Sequence, residues 1–380
     1  MLKYGIICEF NPFHNGHKYL IEQTRKQTHA VAVICIMSGS MVQRGDVAIF
    51  DKWTRAKAAV QNGADLVIEL PVCYVLQSAD NFALGAVEIL NGLNADGISF
   101  GSEYADEELL KRIAEIKKSE PEEYKKAFKA EMEAGRGYPS ACESAVRACI
   151  DGLPDGVFMP NATLAISYIC AAMKVNPCLK FNTVKRIGNY HSTELAGEFP
   201  SASAIRRKIL ENDCLDGFCE YGKSDIYRIE NISSLILGFF RLKSSSELAC
   251  VSGMESGLAN RMVHAAKITT SFEDFVSECV TKRYTAHRIR RCILCALLGI
   301  EKIEKPTYAR VLALNKTGAQ VLKDAAKNGP LKIITKTADF KYLPGSMFEK
   351  DILATDIQAL CANKKASADF VTAPYIDRKE

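Results

Sequence analysis

The segment that most constrains this chain is Phe10-Asn11-Pro12-Phe13-His14-Asn15-Gly16-His17, called the histidine motif below, which follows an apolar run over 4–9. The run predicts a β-strand, and the motif predicts the turn that begins a helix. Two histidines three residues apart share one helix face, beside the unpaired N–H groups and the positive end of the helix dipole. Gly16 lets a ligand approach the backbone. We therefore predict a phosphate-binding site, although a cap formed by one histidine, with the other in solvent, also fits.

Composition excludes several classes of protein. The chain has 380 residues, enough for roughly two or three domains. Its longest apolar stretch, 30–37, is too short to span a membrane, and the early first strand leaves no room for a signal peptide. Fourteen cysteines without regular spacing predict the reducing cytoplasm. Cys292 and Cys295 lie on an apolar helical face, so we expect no metal site there.

The first half of the chain alternates between strand and helix patterns. Strand patterns occur at 4–9, 30–37, 65–70, 97–100 and 179–186, and helical patterns at 15–28, 51–62, 78–92, 105–118, 121–135, 139–150 and 160–174. This order predicts an α/β fold with a doubly wound, parallel, Rossmann-like sheet, whose ligand lies beyond the carboxyl ends of the strands. The residues that follow strands are Ser38-Gly39-Ser40, Glu69-Leu70-Pro71, Gly101-Ser102-Glu103 and Lys185-Arg186-Ile187-Gly188, leading to His191.

The second half is mainly helical. Long helical periods cover 226–242, 255–267, 271–279 and 288–298, and two strand-like runs, 308–314 and 332–335, flank a further helix. We therefore expect an α/β domain over 1–212 and a mainly helical region over 213–380 that ends in a small mixed element.

A second anion-binding pattern is Ser201-Ala202-Ser203-Ala204-Ile205-Arg206, called the serine loop below. Either Ser201 or Ser203 can cap the helix that follows, and the Arg206 guanidinium can bind phosphate through two hydrogen bonds. Alone, the segment also fits an ordinary serine cap with exposed arginines. Together with the histidine motif, it predicts a second part of one anion site.

Two other segments allow two interpretations each. Asn161, after Pro160, either caps a helix or faces a bound nucleotide. In the segment 43–55, we expect Asp51, Lys52 and Arg55 to lie in a solvated loop and helix start, although this loop could also close over a substrate.

The densest basic segment is 282–291, called the basic run below, where Tyr284 and His287 alternate with cations. A net charge of +4 is mild, but this local density favours RNA contact over a merely solvated helix face. Further cations would extend the surface: Lys302, Lys305, Arg310, Lys316 and Lys323.

These motifs together resemble a known family. The histidine motif and the serine loop are similar to those of the nucleotidyltransferase superfamily, which shares them with class I aminoacyl-tRNA synthetases. Other segments resemble the bacterial tRNA(Met) cytidine acetate ligases over nearly the whole chain: Met37-Ser38-Gly39, Gln43-Arg44-Gly45, 62–71, 100–103, Arg186-Ile187-Gly188 with Tyr190 and His191, and Lys282-Arg283-Tyr284-Thr285. No lysine lies between Ser201 and Arg206, so Arg206 would act where the synthetases use a lysine.

The resemblance implies a two-step reaction. Acetate would attack the α-phosphate of ATP, giving acetyl-adenylate and pyrophosphate, with Mg²⁺ bound mainly by ATP and water. The acetyl group would then pass to the wobble cytidine of elongator tRNA(Met). The rival interpretations are a small-molecule nucleotidyltransferase and a non-enzymatic RNA-binding module.

The resemblance also implies roles for particular residues. The predicted catalytic residues are His14, His17, Ser203 and Arg206. The predicted ATP-binding residues are Ile7, Cys8, Glu9, Phe10, Asn11, Pro12, Phe13, His14, Asn15, Gly16, His17, Lys18, Tyr19, Leu20, Gly101, Asn161 and Arg186. The predicted tRNA-binding residues are Lys282, Arg283, Arg288, Arg290 and Arg291.

Overall fold

The computed structural model describes residues 1–186, 201–212 and 224–378, without the side chain at 328. The predicted residues Ile187, Gly188, Tyr190 and His191 lie outside this part of the chain. The described strands are β1 (Lys3–Cys8), β2 (Ala32–Ser38), β3 (Met41–Val42), β4 (Asp46–Val47), β5 (Leu66–Leu70), β6 (Gly97–Ser102), β7 (Lys180–Lys185), β8 (Tyr308–Leu314), β9 (Lys332–Ile334) and β10 (Tyr375–Ile376).

Helices fill most of the remaining described chain. They are α1 (Asn15–Thr28), α2 (Lys52–Gln61), α3 (Val72–Val75), α4 (Ala79–Gly92), α5 (Glu107–Ser119), α6 (Glu122–Glu133), α7 (Tyr138–Arg147), α8 (Pro160–Val175), α9 (Ala202–Asn212), α10 (Ser233–Leu242), α11 (Ser245–Leu248), α12 (Ser256–Ile268), α13 (Phe272–Cys279), α14 (Ala286–Leu298), α15 (Lys316–Asn328), α16 (Met347–Leu360) and α17 (Ala368–Val371). Short 3₁₀ turns occur at Asp155–Phe158, Ile229–Ile232 and Thr337–Asp339. None of these described helices is long and apolar enough to cross a membrane.

One eight-stranded sheet, in the order β10-β8-β5-β2-β1-β6-β7 with β9 beside β8, forms the centre of the fold. Strands β5, β2, β1, β6 and β7 run parallel, which confirms the predicted doubly wound α/β fold. Strand β8 runs antiparallel to β5 and makes the sheet mixed. The mixed element that we expected at the end of the helical region thus belongs to the central sheet. The division at 212/213 stays a prediction, and the sheet includes strands from both sides of it.

Alternate residues of the central strands enter cores on opposite faces of the sheet. In β1, Ile6 and Cys8 join a core with Ile21 of α1, while Ile7 joins a larger core on the other face. This period of two is the strand pattern of a sheet covered on both sides. The larger core continues into α10, α12, α13 and α14, so the helical half packs against that face.

Arg55 of α2 is fully buried, contrary to the expected solvated helix start. Its guanidinium donates to the carbonyl oxygens of Glu9 (2.5 Å), Ser38 (3.0 Å) and Phe50 (3.1 Å), and also to that of Gly39. The carbonyls of Glu9, Ser38 and Gly39 lie where β1 and β2 end and their ladder partners run out, and that of Phe50 lies just before α2. The forked guanidinium supplies the donors that they would otherwise lack, so it fixes the edge from which the histidine motif begins.

A second buried charge group joins α2, β5, β8 and α17. Lys52 Nζ lies 2.8 Å from both Glu69 and Asp369, and Arg310 Nη1 lies 3.3 Å from Glu69 and also pairs with Asp369. The expectations that Lys52 is solvated and that Arg310 extends a basic surface are therefore wrong. Two cations and two carboxylates compensate each other, which is the condition for burying charge.

We predict that Arg55→Met lowers the free energy of unfolding by about 3–5 kcal/mol, because several buried carbonyls lose their donor. Arg55→Lys keeps the positive charge but has a single donor nitrogen, so it should lower the free energy of unfolding by part of that amount. Lys57→Met, on the exposed face of the same helix, should change the free energy of unfolding by less than about 0.5 kcal/mol. Urea denaturation followed by circular dichroism measures all three, and a loss below about 1 kcal/mol in Arg55→Met would contradict the role we assign.

Candidate active site

A cavity of about 1280 Å³ opens at the carboxyl ends of β1, β6 and β7. Glu9 after β1, Gly101 in β6 and Arg186 after β7 line it, and residues of α14 line another part of its wall. This is the edge at which a parallel sheet places its ligand.

The two histidines of the histidine motif cap α1 reciprocally. His14 Nδ1 accepts the Gly16 N–H (3.1 Å), and His17 Nδ1 accepts the His14 N–H (3.3 Å). The rings stack with centroids 3.8 Å apart, and both residues line the cavity. Because each Nδ1 is an acceptor, the neutral ring carries its proton on Nε2 and is a hydrogen-bond donor there. The alternative with one capping and one solvated histidine is therefore wrong.

Both rings are uncharged at neutral pH. Burial lowers the pKa of His14 to about 3, and the positive charges of Arg186 and Arg206 add to this effect. Burial, together with His14 and Arg186, lowers the pKa of His17 well below its usual range. The histidines thus provide neutral donors, while Arg186 and Arg206 supply positive charge beside them.

The serine loop meets the histidine motif at this cavity. Ser201 Oγ accepts the Ala204 N–H (3.1 Å), so Ser201 caps α9. Arg206 donates to Ser203 Oγ (3.0 Å) and to the carbonyl oxygen of Asn11 (2.5 Å). Ser203 and Arg206 both line the cavity, so two segments far apart in sequence form one polar wall.

Asn161 lines the cavity and does not cap α8 with its side chain. Its side-chain amide donates to Glu103, which also accepts the N–H of Ala162 (3.0 Å). Glu103 therefore compensates the positive end of the α8 dipole and fixes the orientation of Asn161.

Most residues predicted to bind ATP line the cavity: Ile7, Cys8, Glu9, Phe10, Asn11, His14, Gly16, His17, Tyr19, Leu20, Gly101, Asn161 and Arg186. Four do not. Phe13 is buried in the core, Asn15 and Lys18 are exposed on the other side of α1, and Pro12 is buried. Consecutive residues of a turn and helix point in different directions, so a continuous stretch cannot line one wall.

The basic run is not an open stripe of positive charge. Arg283 and Arg288 pair with Glu255 at 2.8 and 2.7 Å, and Arg290 pairs with Glu273 at 2.6 Å. Arg283, Arg288 and Arg291 line the same cavity as the histidines, whereas Lys282 is exposed outside it. Arg290 is 16% exposed, and its guanidinium lies over the ring of Phe272 (4.9 Å), so its contacts are those of a packing residue.

The sequence allowed the segment 43–55 to close over a substrate, but it did not predict the hairpin β3–β4, which overlaps that segment. The hairpin brings Gln43, Arg44 and Asp46 to the cavity, and the Gln43 N–H donates to Glu9 (2.6 Å). Gly45 has φ +79°, and a Cβ there would lie 2.5 Å from the Arg291 nitrogen. The Gly-Asp pair was the available signal, since such pairs mark tight turns.

Comparisons with known proteins agree with this geometry. The chain matches the family model described as HIGH Nucleotidyl Transferase over residues 1–371. It is 38% identical to the tRNA(Met) cytidine acetate ligase of Thermoanaerobacter sp. (strain X514), over 97% of this chain and 98% of that protein. It is 34% identical to the tRNA(Met) cytidine acetate ligase of Acetivibrio thermocellus, over 96% of this chain and 97% of that protein. The chain belongs to this ligase family.

Solved structures support the same assignment. Thermotoga maritima TmcAL bound with alpha-thio ATP matches with a TM-score of 0.88 at 29% identity, and its apo form matches with 0.91 at 30%. Each comparison covers 100% of both chains. The fold of this family member is thus that of a nucleotidyltransferase, and the chain is an enzyme.

We predict a pH effect on the stability of this ligase from the lowered pKa of His14. This histidine binds a proton near pH 6.5 in the unfolded chain and near pH 3 in the folded one. Lowering the pH from 6.5 to 3 therefore decreases the free energy of unfolding by about 1.4 kcal/mol per pH unit. His14→Asn still offers an acceptor to the Gly16 N–H but does not titrate. It should reduce the fall in unfolding free energy between pH 7 and pH 5 by about 2 kcal/mol.

Denaturation at a series of pH values measures this slope. The matched control is His29→Asn, since His29 is exposed at the other end of α1 with φ +56°, a conformation that asparagine tolerates. An unchanged slope in His14→Asn would show that His14 does not titrate as its burial implies.

Proposed function

We propose that this ligase activates acetate with ATP as acetyl-adenylate and transfers the acetyl group to the exocyclic amine of the wobble cytidine of elongator tRNA(Met). The product is N4-acetylcytidine. The observation that carries the proposal is that one cavity has both phosphate-binding motifs on one side and arginines of the basic run on another. The names of the related ligases and the ATP analogue in the Thermotoga maritima structure support it.

In the first step, an acetate oxygen attacks the α-phosphate of ATP, and pyrophosphate leaves in line. The Nε2–H groups of His14 and His17 donate to α-phosphate oxygens, where negative charge grows. Arg206 holds the leaving pyrophosphate, oriented by its bonds to Ser203 and Asn11. Prepositioned donors and fixed charges of this kind need no rearrangement during the reaction. No nucleophilic side chain is required, because acetate itself attacks.

The walls beside the histidines position the nucleotide. Gly101, Asn161 and Arg186 hold the adenosine and its phosphates. Among the described residues, no group of three His, Cys, Asp or Glu side chains could hold a metal ion. Mg²⁺ would bind mainly through ATP phosphates and water, and its contribution would be neutralisation of phosphate charge.

In the second step, the tRNA approaches the cavity along the basic run. Lys282 is exposed, and Arg283, Arg288 and Arg291 line the cavity. Phosphates of the tRNA would compete with Glu255 for Arg283 and Arg288, since bidentate arginine–phosphate pairs are strong. We omit Arg290 from this set, because its partners are Glu273 and Phe272.

We predict that His17→Ala reduces acetate-dependent ATP–pyrophosphate exchange by about 10²–10³-fold, the usual cost of removing one transition-state donor. His29→Asn serves as the control and should exchange at the wild-type rate. Exchange that persists in His14→Ala/His17→Ala would refute the role of the histidines. Nucleoside digestion of tRNA(Met) after reaction tests the acceptor, and adenylylation of a phosphorylated metabolite without acetylcytidine would favour a small-molecule nucleotidyltransferase.

Replacing Lys282 and Arg283 by alanine should weaken tRNA binding and flatten its salt dependence. The slope of log K against log [salt] should fall by about 0.7–0.9 for each tRNA phosphate that no longer pairs with a cation. Fluorescence anisotropy with labelled tRNA(Met) measures this slope. Arg290→Ala is the contrasting variant, since it should lower thermal stability and keep the slope. Equal slopes in Lys282→Ala/Arg283→Ala and wild type would show that these residues of the basic run do not pair with tRNA phosphates.

A further inference from the structure

Acyl transfer to an amine releases a proton, and the candidate acceptors are the carboxylates of the cavity. The described carboxylates that line it are Glu9, Asp46, Asp80 and Glu143. Each of them has a polar partner. Asp80 accepts the Ser167 hydroxyl (2.7 Å), Glu143 is paired with an arginine one turn along α7 (3.0 Å), and Glu9 accepts a main-chain N–H of the β3–β4 hairpin (2.6 Å).

Asp46 resembles Glu9 in accepting one main-chain N–H, but it lies on the hairpin that packs against α14, whereas Glu9 lies at the end of β1 beside the histidine motif. Its Oδ1 accepts the Val47 N–H (2.8 Å), whereas its Oδ2 lies 3.9 Å from Arg290, beyond hydrogen-bond distance. Arg290 is itself held by both oxygens of Glu273 at 2.6 Å. Within the described part of the chain, Oδ2 of Asp46 therefore accepts no hydrogen bond, and its side chain is 43% exposed.

The hairpin holds Asp46 at a fixed place between the two walls. Its Gln43 donates to Glu9 (2.6 Å), at the end of β1, and accepts a hydrogen bond from Arg291 (3.2 Å) of α14. Gly45 packs so closely on α14 that no side chain would fit. The carboxylate thus lies between the end of β1 and α14, which lines the proposed tRNA side of the cavity.

We propose that Asp46 is the proton acceptor in the acetyl-transfer step, an inference that rests on the function proposed above. The lone pair of the cytidine N4 attacks the carbonyl carbon of acetyl-adenylate, and a C–N bond forms. The bond between that carbon and the phosphate oxygen breaks, and AMP leaves with its electrons. The proton of the amine passes to Asp46 Oδ2 and then to solvent.

The surroundings give Asp46 a basicity suited to this step. Desolvation by the packed elements around it raises its pKa to about 6, even though 43% of its side-chain surface is exposed, and nearby Arg290 and Arg206 oppose the rise. The charged and titratable groups around it are Arg290 of α14, Arg206 of α9, Glu230 of the 3₁₀ turn and Cys361 after α16. A base with a pKa just below the working pH is ionised and still takes up a proton effectively.

The test isolates the second step. The full-length protein is mixed with synthetic acetyl-adenylate and unmodified tRNA(Met), and N4-acetylcytidine is measured in a single turnover. Asp46→Asn should slow this transfer by about 10²–10³-fold, with a smaller effect on acetate-dependent ATP–pyrophosphate exchange. The wild-type rate should rise with pH up to about 6 and then level off, whereas Asp46→Asn should lack this rise. Asp46→Glu should recover part of the rate.

Glu143→Gln is the matched control, a cavity carboxylate already paired with an arginine, and should change transfer by less than about threefold. Wild-type transfer with an unchanged pH profile in Asp46→Asn would overturn the assignment and leave the ligase function intact. Equal losses of exchange and transfer would also overturn it, because Asp46 would then support the hairpin. Failure of the wild-type protein to use acetyl-adenylate would overturn both this inference and the proposed function.

Discussion

The site depends on the buried guanidinium of Arg55. It holds the carbonyl oxygens of Glu9, Ser38 and Gly39, which lie where β1 and β2 end. The histidine motif begins at the residue after Glu9, so the direction in which the chain leaves β1 is set by this contact. Four carbonyl acceptors, with that of Phe50, compensate the desolvation of the charge. A lysine has one nitrogen and could not span them, since the fork of five donors is particular to arginine.

The proposed phosphate site separates hydrogen bonding from charge. His14 and His17 stack at 3.8 Å, and two imidazolium ions at that distance inside the protein would repel strongly. Burial avoids this by keeping both rings neutral, with one donor each. The positive charge comes from Arg186 and Arg206, and Arg206 is tied to the main chain of the histidine motif. A polyanion entering the cavity therefore meets donors and charges that are already in place.

Much of the fold, and the two motifs that form the polar wall of the cavity, follow from local sequence patterns. The periods of two and of about 3.6 predicted the parallel strands and their helices, because each pattern depends on neighbours in the chain. The histidine motif and the serine loop were predicted because each is a property of one helix N-terminus. The burial of Lys52 and Arg310 was not predicted, because it depends on ion pairs with Asp369 near the other end of the chain. The β3–β4 hairpin has two-residue strands, too short to show a period.

The shared cavity has a chemical consequence. The acetyl-adenylate of the proposed reaction is a reactive anhydride, and a site that released it would lose it to water. Since the donors proposed for the phosphate and the arginines proposed for the tRNA line one cavity, the proposed intermediate need not leave before the amine arrives. The hairpin joins the two sides, because it is bonded to Glu9 at the end of β1 and to Arg291 of α14. A shift of α14 on tRNA binding would therefore move the hairpin, and Asp46 with it, relative to the bound adenylate.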